Sequence, residues 1–373
     1  MSKAAYPNLF RPLKVDGLRL KNRITMAPLY LGYAAPGGKV SPLMLAHYKL
    51  MAHSGAALIV VEGAGITVNG SGSARTLRCD HNRYMKGLEA LAKTIKGGKT
   101  LAALQINHAG RFAQVAEPVA PSAVSAFGTT PRALTRKEIK AIQKQYARAA
   151  LRVQGTGFDL VELHGGTGYL LAQFVSPRTN KRRDIYGGPI ENRIRFPLEV
   201  LKEVKDLVGD FPVGYRFLAD ELLPDGLHVE ESGVLAKALE ENGVAYISVM
   251  GGTYESFFLP EVIKKSRRPG YMVSLAEAIK KEVKVPVITA GRISTPALAE
   301  SILREKKADL IGLARMLWVD PEWPRKARTG HDRSIIKCSP KCDACLQLVM
   351  QGKPAFCPKW KKGKRAEYKA LFQ

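Results

Sequence analysis

Short apolar, β-branched runs alternate with amphipathic stretches along most of this chain. The runs are RITMAP (23–28), ALIVVEG (57–63), TLAALQIN (100–107), FDLVELH (158–164), FPVGYRF (211–217), VAYISVMGG (244–252), VPVITAG (285–291) and ADLIGLA (308–314). They lack the polar alternation of a half-exposed strand. Each therefore predicts a strand covered on both faces, as in a parallel sheet. Between them the period changes to that of a helix. SPLMLAHYKLMAHSG (41–55) opens on a capping Ser41 with Pro42 and closes on Gly55. TRKEIKAIQKQYARAALRVQGTG (135–157) opens on a capping box, Thr135 with Glu138, and sets Ile139, Ile142, Tyr146 and Ala150 on one face. STPALAESILREKK (294–307) repeats the plan with Ser294, Thr295 and Pro296. Eight such units over about 320 residues predict an α/β fold, a (β/α)8 TIM barrel. An open doubly wound sheet would carry a Gly-rich dinucleotide turn after its first strand, and no G-x-G-x-x-G occurs.

A TIM barrel gathers its chemistry at the carboxyl ends of its strands. Those ends supply Pro28–Tyr30, Glu62–Gly63, Gln105 with His108, His164–Tyr169, Arg216, Gly251–Gly252, Gly291–Arg292 and Arg315. Arg292 and Arg315 follow the seventh and eighth runs, where barrels commonly hold a phosphate. His47 and His53 lie on the first helical stretch and are expected at its partly exposed surface.

Composition narrows the class. With 373 residues, 46% hydrophobic and 24% charged, the chain is expected to be soluble and folded around a large core. No run approaches the roughly 18 apolar residues of a membrane span. The start, MSKAAYPNLFRPL, lacks the apolar centre of a signal peptide. A cytoplasmic setting with reduced thiols is the expectation, and no membrane partner. The formal charge of +25 would attract phosphate-bearing ligands, acidic proteins or nucleic acid. The cations are spread along the chain and densest in KWKKGKR (359–365), without aromatic-interleaved basic motifs, so nucleic acid is not expected as a partner. Nothing in the sequence sets an oligomeric state.

Four of the five cysteines, Cys338, Cys342, Cys345 and Cys357, fall in KCSPKCDACLQLVMQGKPAFC. Reduced thiols disfavour disulfides. Zinc favours paired C-x2-C knuckles with a longer gap between them. The spacing C-x3-C-x2-C-x11-C, three close ligands and one distant, is nearer to a [4Fe–4S] site, with zinc as the alternative.

Three segments carry a family likeness: LFRPLKVDGLRLKNRITMAP (9–28), LQINHAGR (104–111) and GFDLVELHGGTGYLLAQFVSPRTNKRRDIYGGPIENR (157–193). Over roughly residues 7–330 the chain resembles the old yellow enzyme family of FMN-dependent oxidoreductases. The resemblance implies that Ala27, Pro28 and Leu29 line the isoalloxazine, that Tyr30 stands beside its reactive edge, and that Gly63 lies against the ring. Gln105 would bond the pyrimidine end and Arg216 would face the N1–C2 carbonyl. Gly291, Arg292, Ala314 and Arg315 would cradle the phosphate. His164 would bind a substrate carbonyl, and Tyr169 would donate the proton. Arg111, in the matched H-A-G-R, is read as structural.

Two positions depart from the family pattern. Thr167 replaces the usual second His or Asn, and GLAR replaces the common Gly-Arg ending after the eighth run. Both resemble the dienoyl-CoA reductase group. A subgroup containing 2,4-dienoyl-CoA reductase, 2-enoate reductase and trimethylamine dehydrogenase bears an iron–sulfur cluster after its barrel, and the gap of eleven matches it. The first gap here is one residue longer. The resemblance thus implies a barrel over 1–330 and a cluster-binding extension over 331–373. It implies an ene-reductase that passes hydride from flavin N5 to the C=C of an unsaturated carbonyl or enoyl thioester. Those relatives continue into further domains, whereas this sequence stops at Gln373, so electrons are expected from NAD(P)H or from a separate acidic electron-transfer protein. Alternatives are amine dehydrogenation or demethylation, and a basic zinc-bearing nucleic-acid-binding protein.

Overall fold

The computed structural model describes residues 5–372. Eight strands close into a parallel barrel: β1 (Ile24–Met26), β2 (Leu58–Gly65), β3 (Leu101–Asn107), β4 (Leu160–Gly165), β5 (Val213–Asp220), β6 (Ile247–Gly251), β7 (Val287–Thr289) and β8 (Leu310–Leu313). All eight predicted runs are barrel strands. Each pairs with the next, and β8 returns to β1 through Ile311–Ile24 and Leu313–Met26. The runs lack alternation because one side of each strand fills the barrel and the other packs under the helices.

The predicted helices form. Ser41 caps Pro42–Ala52 by accepting from the Met44 amide at 3.0 Å. Thr135 and Glu138 complete the capping box of Arg136–Gly155. In the third helix, Pro296–Arg304, the cap is Thr295 alone, which accepts from the Leu298 amide. An antiparallel hairpin, Leu13–Val15 with Leu18–Leu20, closes the amino-terminal end of the barrel. Val15, Leu18 and Leu20 meet Leu58, Leu160 and Leu310 there, which keeps water from that end and leaves the carboxyl ends open.

Residues after 330 add a helical turn (Asp332–Ser334) and two helices, Ala344–Met350 and Lys362–Ala370. Ile335, Ala355, Trp360 and Tyr368 join the main apolar core. The contact is also polar and reaches the loop after β1. The Ala355 amide donates to the Leu31 carbonyl at 2.9 Å, and the Tyr33 hydroxyl donates to the Ala355 carbonyl at 2.7 Å. Trp360 donates to the Trp318 carbonyl at 3.2 Å.

His47 departs from expectation, while His53 is exposed as expected. The His47 ring is 1% exposed, edge-on to Tyr33 and Tyr48, and neither nitrogen has a partner among the described residues. The carboxyl-terminal segment covers a helix face that would otherwise meet water. Burial pushes the His47 pKa down to about 3 and that of His108 to about 4. Unfolded, each imidazole takes a proton near its ordinary pKa of 6.5. Between those limits the unfolded chain holds more protons, so stability is complete above pH of about 6.5 and falls on acidification. Urea unfolding from pH 7 to 4 should show that loss, and His47→Leu should make its slope shallower. An unchanged slope would contradict a buried neutral His47.

Candidate functional site

The carboxyl ends of the strands open on two adjoining cavities, and Pro28 and Arg216 line both. Their empty volumes, mouths included, are about 890 and 870 Å3. The β pleat and register explain why Arg216 lies at the seam. On β4, Glu162 and His164 are two residues apart and share a face. His164 pairs in register with Arg216 on β5, and Arg216 with Ser248 on β6. Arg216 donates to Ser248 Oγ at 2.8 Å.

Glu162 lies beneath this belt. It is fully buried, and it accepts from Gln105 Nε2 at 2.7 Å and from the Tyr246 hydroxyl at 2.8 Å. Gly214 makes room for this, since a Cβ there would strike the Tyr246 ring. Burial raises the Glu162 carboxyl pKa, while Arg216, Tyr246 and Gln105 pull it back. The carboxylate thus fixes the Gln105 amide and balances the buried guanidinium.

The first cavity lies past β7 and β8. Ala27, assigned from sequence to the ring, and Gly291, Arg292, Ala314 and Arg315, assigned to the phosphate, all border it. Arg267 and Tyr271, not flagged by sequence, border it too. Four arginines, with Arg216 included, face a lining that contains no Asp or Glu. Arg315 has no ion-pair partner among the described residues. Arg292 adopts a left-handed backbone (φ 53°) and donates to the carbonyls of Ser266 and Pro340. Such a field selects an anion with several acceptor oxygens.

The second cavity gathers Leu29, Tyr30, Gly63, Gln105, His164, Thr167 and Tyr169. A Cβ on Gly63 would lie 3.2 Å from Gln105 Oε1 and 3.6 Å from His164, so only glycine leaves this wall flat. His164 Nδ1 accepts from the Gly166 amide at 3.2 Å, which puts the proton of the neutral ring on Nε2. Burial, with Arg216 adding to it, pushes the His164 pKa down to about 3. The ring is therefore a neutral donor through the physiological range.

Tyr169 meets His164 edge-on, with ring centroids 4.8 Å apart, and shares a 2.7 Å hydrogen bond with the Tyr254 hydroxyl. Burial, then Tyr254, hold its phenol pKa well above the ordinary value. Tyr30 bonds to Ser73 Oγ at 2.5 Å, and burial pushes its pKa up to about 12. Sequence reasoning missed Tyr254 because it stands in the loop after β6, outside every recognised motif. It also missed Asn107, whose Oδ1 lies buried at this cavity without a partner among the described residues.

His108 and Arg111 are structural. The His108 ring packs on Gly70 and accepts from the Gly110 amide, and Arg111 pairs with Glu255. Of the four clustered thiols, Cys338 borders the first cavity. Burial raises the pKa of Cys345 and Cys357, and neighbouring thiols push both the same way. Among the described residues no group of three or more His, Cys, Asp or Glu side chains is arranged to hold a metal ion. No helix among them is long and apolar enough to cross a membrane.

Residues 8–333 match the family model described as NADH:flavin oxidoreductase / NADH oxidase family. An NADH oxidase of Thermoanaerobacter brockii is 43% identical over 343 residues, covering 89% of this chain and 52% of that protein. The chain thus spans about half the length of that relative. An NADPH dehydrogenase of Halalkalibacterium halodurans is 37% identical over 323 residues, covering 86% of this chain and 93% of the relative. Among solved structures, 2-naphthoyl-CoA reductase in complex with 2-naphthoyl-CoA superposes with a TM-score of 0.91 at 28% identity, over 95% of this chain and 57% of that one.

Thr167 sits at the cavity with φ of 58°, a strained setting for a β-branched residue, and among the described residues its hydroxyl bonds only to Met250 Sδ at 3.4 Å. Thr167→Gly should relieve about 1 kcal/mol of strain, measured as a higher unfolding midpoint in urea. A clear loss of stability would contradict the strain.

Proposed function

The chain belongs to the NADH:flavin oxidoreductase / NADH oxidase family, the old yellow enzymes, as an FMN-dependent oxidoreductase, and on that premise we propose that it reduces activated alkenes. The observation that carries this reading is the convergence of neutral His164, protonated Tyr169 and Arg216 on a cavity that adjoins an acid-free cationic one. The residues fit the cofactor. Arg315 and Arg292, with the backbone of Gly291 and Ala314, would hold its phosphate. Ala27, Pro28, Leu29 and Gly63 would line the ring, with Tyr30 beside the reactive edge. Gln105, braced by Glu162, would bond the pyrimidine. Arg216 would face the N1–C2 edge, where a fixed cation stabilises negative charge. Bound there, FMN would supply hydride from N5 to the β-carbon of the alkene.

The chain's own residues do the rest. His164 Nε2–H donates to the substrate carbonyl oxygen and stabilises negative charge as it develops there. Tyr169 gives its proton to the α-carbon. The Tyr254 hydroxyl, hydrogen-bonded to that of Tyr169, is placed to return it. Thr167 leaves more room than a His or Asn would beside the carbonyl. The substrate class is an α,β-unsaturated carbonyl or thioester, and the likeness to a CoA-ester reductase favours the thioester.

We take residues 1–330 as the barrel and 331–373 as an extension whose Cys338, Cys342, Cys345 and Cys357 hold a [4Fe–4S] cluster. Four thiols are the ligand chemistry such a cluster takes, although the described residues are not arranged around a metal, and a cluster there would supply one-electron transfer. NAD(P)H, named in the relatives, or an acidic electron-transfer protein would be the reductant. Iron and acid-labile sulfide analysis separates this site from zinc. A second reading rests on Tyr30, Tyr169 and Tyr254 around the cavity, which would also suit a cationic amine for dehydrogenation.

Tyr169→Phe tests the proton donor. It should lower saturated product formation by about 100-fold or more while FMN content stays unchanged, and a loss below threefold would contradict the role. Arg315→Ala should weaken FMN binding by about tenfold or more, read by flavin fluorescence titration. Unchanged affinity would remove Arg315 from the phosphate cradle.

A further inference from the structure

The helix Ala344–Met350 reads ACLQLVM, and none of its residues is buried. Leu346 and Met350, one turn apart on one face, are 45% and 67% exposed. An apolar helix face open to water marks a contact surface. Cys345, one of the four clustered thiols, is the residue next to Leu346. Lys341 precedes the helix and Lys353 follows it, both exposed. The same segment carries ten lysines and arginines against three acids between residues 331 and 372. Among the described residues none of these ten forms an ion pair, whereas many cations of the barrel do.

We propose that the Leu346–Met350 face, bracketed by Lys341 and Lys353, is the docking surface for an acidic electron-carrier protein. The proposal rests on the reading of the four thiols as a redox centre and adds the place of contact. Lys341 and Lys353, exposed before and after a helix with exposed apolar side chains, supply charge at the ends of an apolar patch. The charge steers an acidic partner, and the patch holds it. Nucleic acid fits less well, because the exposed residues at the centre are aliphatic and offer no aromatic platform for a base. The adjacency of Leu346 to Cys345 makes the contact useful, since a carrier seated there lies against the thiol-bearing turn. A carrier seated there would be oxidised by one electron per encounter and the centre held by the four thiols reduced by one, with no bond made or broken, so two encounters would supply a two-electron reduction of the flavin.

The test uses the holoenzyme and, as probes, a reduced acidic [2Fe–2S] ferredoxin and a short DNA duplex. Affinity is read by calorimetry across a salt series, and flavin bleaching is followed separately. Lys341→Glu with Lys353→Glu should weaken ferredoxin binding about tenfold or more at low salt and flatten its salt dependence. Leu346→Gln with Met350→Gln should weaken it at every salt concentration. Iron content and NAD(P)H-driven turnover serve as controls for folding.

Tight binding that neither pair of substitutions alters would overturn the surface, even if ferredoxin bleaches the flavin. Binding lost in both pairs supports the surface even if no bleaching follows, in which case the redox reading of the thiols fails instead. DNA binding that matches or exceeds ferredoxin binding would overturn the choice of partner. So would a dimer that the Leu346/Met350 substitutions dissociate while ferredoxin affinity stays constant.

Discussion

A buried guanidinium at the top of a barrel is costly unless something nearby answers its charge. Arg216 is answered by Glu162, and much of the site follows from that. Glu162 cannot turn away, because Gln105 and Tyr246 hold its two oxygens. Gln105 in turn cannot rotate freely and presents Oε1 toward Gly63. Arg216 is held by Ser248 and lines both cavities, so the anion-selecting end and the proton-donating end share one fixed cation. The same cation, after burial, helps keep His164 neutral. Glu162 and Arg216 therefore set the amide orientation and the continuity of the cavity, and Arg216 adds to the burial that keeps the imidazole neutral.

The aromatic wall follows a different logic. Tyr169, Tyr254 and Phe112 pack edge to face, which fixes ring positions without filling the space between them. Arg111 at the foot of Phe112 is tied to Glu255, the residue after Tyr254. The loop after β3 and the loop after β6 are thus joined behind the two phenols. The carboxyl-terminal segment braces the opposite side, through Ala355 on the loop after β1 and Pro340 against Arg292.

The strands and three helices were readable because their signals are local: unbroken apolar runs, Ser41 and Thr135 as caps, and a Thr135–Glu138 box. The strand ends then named most of the second cavity's lining, and Arg216, Gly291, Arg292 and Arg315 of the first, because a TIM barrel converts chain position into spatial position. What stayed hidden depends on contacts across long sequence separations. His47 looked like a surface helix position until a segment some 300 residues later covered it. Tyr254 lies 85 positions from Tyr169 in the chain and touches it through a loop of no recognisable pattern. The role of Gly214 is visible only beside the Tyr246 ring. The cysteine spacing predicted a shared metal site; the structure brings Cys338 to the first cavity, and among the described residues the four thiols are not arranged around a metal.

The most direct test is an anaerobic single turnover. Flavin-loaded, dithionite-reduced protein is mixed with a 2-enoyl thioester in deuterated buffer, and the product is analysed by mass spectrometry and NMR. The expected result is reoxidation of one flavin per thioester reduced, with one deuterium at the α-carbon from the solvent and one at the β-carbon through the solvent-exchangeable N5 hydrogen of the flavin. No reoxidation by enoyl thioesters or enones, together with reduction of the oxidised flavin by an amine, would contradict it.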